Sequence, residues 1–95
     1  MFFVYILVCN DESLYVGHTK DVLARVDAHN NGRGAAFTYQ RRPLRLVYTE
    51  PHETEAAAIR RERQIKGWTR AKKQALISGE PKRLKQLSQR RTRFL

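Results

Sequence analysis

The sequence is poor in cysteine and has no long hydrophobic run, and these two features narrow the class of protein. Cys9 is the only cysteine among 95 residues, which excludes an internal disulfide and a cysteine-rich zinc site. No apolar run approaches the roughly 20 residues that span a bilayer. The longest run, residues 2–9, lacks the basic leader and the small-residue cleavage pattern of a signal peptide. We therefore expect a buried strand there, in a cytoplasmic protein that does not enter a membrane.

Acidic residues are also scarce, and the basic excess lies at one end of the chain. There are 19 Lys and Arg against 9 Asp and Glu, which gives a formal net charge of +10. Residues 1–59 contain 6 basic and 7 acidic residues, whereas residues 60–95 contain 13 and 2. A basic segment beside a neutral one is typical of proteins that bind a polyanion, most simply nucleic acid, and both DNA and RNA fit it. The alternative is a solubilising surface or a disordered basic tail.

The length and the strand patterns predict one small α/β domain. Strands are predicted over residues 2–9 and 14–18, which form a hairpin, and over residues 44–49, before Glu50 and Pro51. With the predicted helices, the order is β-β-α-β-α-α. This order predicts a small three-stranded mixed or antiparallel sheet flanked by helices.

Helices are predicted from an N-cap at Thr19 to about residue 30, over residues 55–66, and from Thr69 to about residue 79. The apolar stripe of the first helix is predicted to be Val22, Leu23 and Val26. Residues 32–43, rich in Gly and Arg, are predicted to be a mobile loop. We expect the domain to occupy residues 1–79, and residues 80–95 to form a basic tail that is partly helical or disordered.

Tyr5 and Tyr15 lie in neighbouring predicted strands, each between apolar residues. Tyrosine suits strands, so both can be core residues with satisfied hydroxyls. Gly17 argues against a purely structural role, because a glycine weakens a strand and often marks close approach by a backbone or a ligand. Residues two apart in a strand share a face, so Gly17 lies beside Tyr15. These three residues are candidates for a site.

Three charged or titratable side chains on the predicted helices are further candidates. Arg25 and His29 are four residues apart, so they lie on one helical face. The alternative is an exposed pair, with an ordinary salt bridge from Asp21 to Arg25. Glu62 lies on the apolar stripe of its helix, where a carboxylate is costly unless it is paired or binds a metal. It either forms a salt bridge at the edge of the core or holds a cation, and a lone carboxylate with waters suits Mg²⁺.

Signatures of several other enzyme classes are missing from the sequence. It contains no P-loop, no G-x-G-x-x-G and no G-x-S-x-G motif. His18, His29 and His52 do not form a zinc pattern with Cys9. The candidate residues therefore have to be explained by another kind of site.

Taken together, these residues resemble the GIY-YIG nuclease superfamily over roughly residues 2–77. The first motif is Phe3-Val4-Tyr5, and the second is Tyr15-Val16-Gly17. Arg25 and His29 match the helix motif, and residues 58–62 match the segment that ends in the family's metal-binding glutamate. Residues 64–68 and 70–73 resemble the small stand-alone bacterial members. Phe3 and Val4 replace the first glycine and the isoleucine of the motif, whereas Tyr5 is retained.

The resemblance implies a metal-dependent endonuclease that hydrolyses DNA phosphodiester bonds, with branched or damaged DNA as expected substrates. Glu62 would hold one Mg²⁺ or Mn²⁺ ion, Arg25 would stabilise charge on the phosphate, and Gly17 would leave space beside the site. Tyr5 or Tyr15 would position or deprotonate the attacking water, with His29 accepting the proton. The residues expected to contact flanking phosphates are Lys66, Arg70, Lys72 and Lys73.

Two other hypotheses stand beside the nuclease. A non-catalytic, basic nucleic-acid-binding module explains the charge equally well, although it does not explain the tyrosines or a glutamate on an apolar stripe. The third hypothesis is a nuclease domain that is inactive until a protein partner targets it to its substrate, because so small a domain has little surface for recognising branched DNA.

Overall fold

The structure is a computed structural model that describes residues 1–79 as an antiparallel sheet with helices packed on both faces. The strands are β1 (Phe2–Val8), β2 (Leu14–Thr19) and β3 (Arg45–His52), in the order β2-β1-β3. The helices are α1 (Val22–Asn30), α2 (Ala36–Tyr39), α3 (Glu55–Lys66) and α4 (Arg70–Ser78). The predicted α/β class is confirmed, and the sheet is antiparallel. The predicted tail, residues 80–95, lies outside the described residues.

The central strand, β1, is buried on both faces, which explains its unbroken apolar run. Its side chains alternate between two clusters. Val4 and Ile6 belong to the cluster that packs against α3. Tyr5 and Leu7 belong to the other cluster, which also includes Val26 of α1. The sheet therefore separates two small cores, and Tyr5 lies in the one that faces α1.

Helix α1 differs from its prediction at its first turn and in its apolar stripe. Asp21 rather than Thr19 is the N-cap, and its carboxylate accepts a hydrogen bond from the Ala24 amide at 3.1 Å. Leu23 is 78% exposed, so the prediction that it belongs to the core was wrong. The buried face of α1 includes Val26 and His29. At about 100° per residue, Leu23 lies about 120° around the helix axis from His29 and faces solvent.

The predicted loop over residues 32–43 contains the short helix α2, so the loop prediction was wrong for this part. Thr38 in this helix is completely buried. The backbone N–H of Asn10 donates a hydrogen bond to the backbone carbonyl of Arg41 at 2.9 Å. Tertiary hydrogen bonds hold this segment against the domain, and no local periodicity in the sequence indicates them.

The last strand, β3, continues through Pro51 to His52, beyond the predicted end. Pro51 pairs with Phe3 of β1. Because β3 is an edge strand, a proline in it costs no ladder hydrogen bond on the open side. Helices α3 and α4 begin at Glu55 and Arg70, close to their predicted starts, and are capped by Thr54 and Thr69. Among residues 1–79, no helix has the length and apolar character needed to cross a membrane.

Candidate active site

Tyr5 and Gly17 are paired residues of β1 and β2, and the tyrosine ring lies against the glycine. A methyl group at residue 17 would lie 2.5 Å from the Tyr5 hydroxyl oxygen and 2.7 Å from its Cζ. Only glycine therefore admits the phenol, which is 1% exposed. The close approach at Gly17 was predicted to come from a backbone or a ligand, whereas the group that approaches is the Tyr5 side chain, which fills the space that Gly17 was expected to leave.

A chain of hydrogen bonds runs from Tyr5 through His29 to α2. The Tyr5 hydroxyl oxygen lies 3.0 Å from His29 Nε2, and His29 Nδ1 lies 2.8 Å from Thr38 Oγ1. Thr38 Oγ1 donates its only proton to the Ala35 carbonyl at 2.8 Å, so it accepts a hydrogen bond from Nδ1–H. This network assigns the neutral imidazole as protonated on Nδ1. Nε2 then accepts the hydrogen bond from the Tyr5 hydroxyl.

His29 is enclosed by Gly34 and Thr38, two residues that the sequence did not identify as part of the site. The imidazole is 1% exposed, so the alternative of an exposed pair with Arg25 does not hold for His29. Gly34 lies against the ring, and a methyl group at residue 34 would lie 2.7 Å from Cε1. Thr38 and Gly34 both come from the segment predicted as a loop. The glycine content of that segment was the one available signal, and nothing in the sequence marked Thr38.

Burial and neighbouring charges set the protonation of Tyr5 and His29. Burial raises the pKa of Tyr5 most, Tyr15 and the Glu62 carboxylate raise it further, and Arg25 lowers it. The pKa of Tyr5 is raised well above its usual range, so the phenol is protonated at neutral pH. Burial lowers the pKa of His29, and the positive charge of Arg25 lowers it further. At neutral pH the pair is a phenol that donates to an uncharged imidazole.

Tyr15 and Arg25 are more exposed than the buried pair. The Tyr15 ring centroid is 6.3 Å from that of Tyr5 and 5.0 Å from that of His29. Tyr15 is half-buried, and within residues 1–79 its hydroxyl makes no hydrogen bond. Arg25 is exposed, and its charge acts on both members of the buried pair. Asp21 caps α1, and no salt bridge between Asp21 and Arg25 forms in the described part of the chain.

Glu62 of α3 is paired with two basic side chains. Its carboxylate lies 2.7 Å from His18 Nδ1 and 2.9 Å from Lys66 Nζ, and its side chain is 15% exposed. Burial acts to raise the pKa of Glu62, but the hydrogen bonds and charges of Lys66 and His18 outweigh burial and lower it. The carboxylate is therefore ionised at neutral pH. The salt bridge considered as the alternative to a cation site is present in this structure.

In the described part of the chain, the side chains around Glu62 do not form a complete metal site. Within residues 1–79, no group of three or more His, Cys, Asp and Glu side chains could hold a metal ion. A cation here would take its other ligands from water and from substrate oxygens, as Mg²⁺ commonly does. His18 was not predicted as a partner of Glu62, because the histidines were considered only as zinc ligands. The position of His18 directly after the site candidate Gly17 was the one feature of the sequence that could have indicated a role in the site.

The basic residues predicted to contact phosphates fall into two groups. Lys66 forms the ion pair with Glu62, and its side chain is 50% exposed. Arg70, Lys72 and Lys73 lie at the start of α4, where Lys72 Nζ is 4.2 Å from the centroid of the Trp68 ring. In the part of the chain that the structure describes, no hydrogen bond or ion pair joins these three residues to Tyr5 or His29.

Comparison with known proteins relates this chain to a family and to similar proteins. Residues 1–75 match the family described as the GIY-YIG catalytic domain. UPF0213 proteins of Staphylococcus aureus strains Mu50 and N315 are each 56% identical over 75 residues, which is 79% of this chain and 92% of theirs. The solution NMR structure of the UPF0213 protein BH0048 from Bacillus halodurans is 42% identical with a TM-score of 0.55, over 84% of this chain and 86% of that chain. The catalytic-domain match implies nuclease activity in general and a nucleic-acid substrate.

Proposed function

Since this chain belongs to the GIY-YIG catalytic domain family, we propose that it is an endonuclease that hydrolyses DNA phosphodiester bonds with the help of one divalent cation. The proposed substrates are branched or damaged DNA. The observation that carries the proposal is the hydrogen-bond chain from Tyr5 through His29 to Thr38. In this hydrogen-bond chain the unprotonated nitrogen of an uncharged imidazole accepts from a buried phenol, so the pair can take up a proton without forming a phenolate.

Tyr5 and His29 together act as the proton acceptor in this proposal. The attacking water transfers a proton to the Tyr5 hydroxyl oxygen, Tyr5 transfers its own proton to His29 Nε2, and the hydroxide attacks phosphorus. The imidazolium keeps its Nδ1–H bond to Thr38 and later returns the proton through the Tyr5 hydroxyl to solvent, while the leaving oxygen takes a proton from water. Because burial raises the pKa of Tyr5, a route that avoids the phenolate is favoured. Tyr15, whose hydroxyl makes no hydrogen bond within residues 1–79, orients the water.

Arg25 is the residue proposed to stabilise the charge that develops on the phosphate. Its charge acts on both Tyr5 and His29, so it lies near the proton acceptor. A guanidinium fork suits the geometry of phosphate oxygens. Arg25 forms no ion pair within residues 1–79, so it binds phosphate without breaking an internal contact. A cation near the developing charge is a common source of transition-state stabilisation.

Glu62 is the residue proposed to hold Mg²⁺ or Mn²⁺. Its carboxylate is ionised and partly exposed, and one carboxylate with waters is a usual set of ligands for Mg²⁺. The ion would offset negative charge on the phosphate and on the leaving oxygen. Lys66 would have to leave its place 2.9 Å from the carboxylate. It would then be able to contact a flanking phosphate, the role also proposed for Arg70, Lys72 and Lys73.

The network around Glu62 favours a second candidate function. His18 and Lys66 already satisfy the carboxylate, as they would in a protein that never binds a cation there. A non-catalytic nucleic-acid-binding module would keep these contacts permanently. A nuclease domain that depends on a protein partner would keep them until the partner delivers the substrate.

A nicking assay on supercoiled plasmid and on a branched oligonucleotide, with Mg²⁺, Mn²⁺ or EDTA, tests the proposal. We expect cation-dependent cleavage that Glu62→Ala abolishes while most DNA affinity is retained. Glu53→Ala is the matched control, because Glu53 is an exposed carboxylate just before α3. Cleavage that survives Glu62→Ala contradicts the role of Glu62. If no substrate is cleaved although DNA affinity is normal, the result favours the non-catalytic module or the partner-dependent domain.

A further inference from the structure

Two aromatic side chains beside the candidate active site are exposed to solvent. Phe37 is 40% exposed and Tyr39 is 53% exposed, and both lie on α2. Thr38, between them, makes the buried contact with His29 that anchors this helix. The anchoring of α2 therefore does not require the exposed parts of the two rings. Neighbouring exposed apolar side chains often mark a binding surface.

Each of the two rings is covered by its own guanidinium group. Arg41 Cζ lies 3.9 Å from the centroid of the Phe37 ring, and Arg41 Nη1 donates a hydrogen bond to the Phe37 carbonyl at 2.7 Å. Arg42 Cζ lies 4.5 Å from the centroid of the Tyr39 ring, and Arg42 Nε donates to the Tyr39 carbonyl at 2.8 Å. The same pairing occurs twice in six residues. It fixes flat aromatic surfaces beside two guanidinium groups, of which Arg41 is also ion-paired with Asp11 at 3.1 Å.

These rings continue directly into the candidate active site. The Phe37 ring stacks on Tyr15, with centroids 6.1 Å apart and planes inclined by 27°. Tyr15 lies 5.0 Å from the His29 ring. The helix that presents Phe37 and Tyr39 also supplies Thr38, the partner of His29. A molecule that lies on these rings is therefore next to the proton acceptor.

We propose that Phe37, Tyr39, Arg41 and Arg42 form a stacking platform that binds an unpaired nucleobase of the substrate. This inference rests on the proposed function, since the base it binds belongs to the strand that is cut. Aromatic rings and guanidinium planes bind exposed bases by stacking, while the positive charge attracts the neighbouring phosphates. In a duplex the faces of the bases are already stacked on each other. The platform therefore selects nucleic acid that has an unpaired nucleotide beside the phosphate that is cleaved.

Binding measured in EDTA, where the cation is absent, tests the platform separately from cleavage. Fluorescence anisotropy compares a single strand with a blunt duplex for the unaltered protein and for the double variant Phe37→Leu, Tyr39→Leu. Leucine retains apolar bulk and helix propensity but removes the flat ring. We expect single-strand affinity to fall at least about fivefold, which corresponds to about 1 kcal/mol for a lost stacked base, and duplex affinity to stay unchanged. Leu23→Ala, which alters another exposed apolar residue, is the control expected to change neither.

A second measurement needs no variant. With 2-aminopurine placed at successive positions of the single strand, the stacked base should lose fluorescence on binding to the unaltered protein. The platform proposal is wrong if 2-aminopurine is quenched at no position. It is also wrong if the double variant loses affinity equally for single strand and duplex, or for neither. An acidic peptide serves as a further ligand, and a loss of peptide affinity as large as the loss of single-strand affinity would also overturn the proposal. If the protein cleaves no substrate but binds single strands through these rings, the proposed platform stands and the proposed nuclease activity does not. If it cleaves DNA without this selectivity for single strands, the nuclease proposal stands and the platform does not.

Discussion

The Tyr5 ring occupies the space in which a side chain at Gly17 would lie, so the two residues fit each other only as a pair. Gly17→Ala places a methyl group 2.5 Å from the Tyr5 hydroxyl oxygen, and the ring is buried at 1% exposure. We expect the free energy of unfolding to fall by about 1–3 kcal/mol, the usual cost of overpacking. Cleavage should also be lost, because Tyr5 moves away from His29. Urea denaturation and the nicking assay measure the two effects.

Gly67→Ala is the matched control for this substitution. A methyl group at residue 67 would meet its nearest neighbour at an ordinary 3.5 Å, and the backbone φ of −79° suits any residue. We expect the stability to change by no more than about 0.5 kcal/mol. If Gly17→Ala is as stable and as active as this control, contact with residue 17 does not fix the phenol.

His29 is expected to titrate below its usual range, because it is buried and because Arg25 is near, and both lower its pKa. Folding then disfavours the protonated imidazole. The stabilising contribution is complete above the unfolded pKa of about 6.5 and is lost as the pH falls below it. Unfolding free energy should therefore decrease from about pH 7 to pH 5. The carboxylates with lowered pKa, such as Glu62, add their own loss at lower pH.

Proton NMR of the histidine ring protons checks the titration of His29 directly. The His29 signal is identified by its disappearance in His29→Gln. Its midpoint should lie below that of the histidines in urea-unfolded protein. A midpoint at or above the unfolded value would mean that the imidazole is not held neutral, and the proposed acceptor would then be charged at neutral pH.

The sequence was sufficient to identify residues whose type is costly in a plain structural role. Gly17 inside a strand and Glu62 on an apolar stripe both signalled a special environment, and the structure gives each a specific contact. The apolar run of β1 predicted a strand buried on both faces, which is confirmed. The resemblance to the GIY-YIG family is also confirmed. The catalytic roles of the individual residues remain predictions.

The sequence was insufficient where a residue depends on a partner across space. His18 contacts Glu62 although 44 residues separate them, and Thr38 reaches His29 from a segment without helical or strand periodicity. The prediction that Leu23 is buried was wrong for a related reason. Tertiary packing, rather than the apolar residues of α1 alone, sets which face of this helix lies against the sheet. Local patterns contain no information on these contacts.

Thr38 is expected to position His29 rather than to touch the substrate. Thr38→Val keeps the shape of the side chain but removes the acceptor for Nδ1–H, so the tautomer with a free Nε2 is no longer fixed. We expect cleavage to fall by up to about 10²–10⁴-fold, the usual contribution of general base catalysis, with DNA affinity retained. The pH profile of cleavage should shift, which a purely structural role would not produce. Thr38→Ser, which keeps the hydroxyl, should restore most activity.

The control for Thr38→Val is Thr49→Val at an exposed position of β3, which pairs with Tyr5 across the sheet but makes none of the hydrogen bonds to His29. This change also removes a threonine hydroxyl but leaves the His29 network intact. Equal activity of the two valine variants would show that Thr38 does not act through His29. A loss of activity that follows only the loss of folded protein, measured by circular dichroism, would lead to the same conclusion.

Lys66 and a cation compete for the carboxylate of Glu62, and this competition can be measured. Lys66→Met removes the ammonium that lies 2.9 Å from the carboxylate while keeping the length of the side chain. We expect half-maximal cleavage at a Mg²⁺ concentration lower by up to about fivefold, in line with the roughly 1 kcal/mol of a partly exposed ion pair. Lys20→Met, at an exposed lysine of the β2–α1 turn, is the control. A role of Lys66 in binding flanking phosphate predicts a separate effect, weaker DNA affinity in EDTA. If Lys66→Met raises the Mg²⁺ requirement at saturating DNA, then the ammonium does not occupy the place of the cation, and Glu62 is held by Lys66 for stability alone.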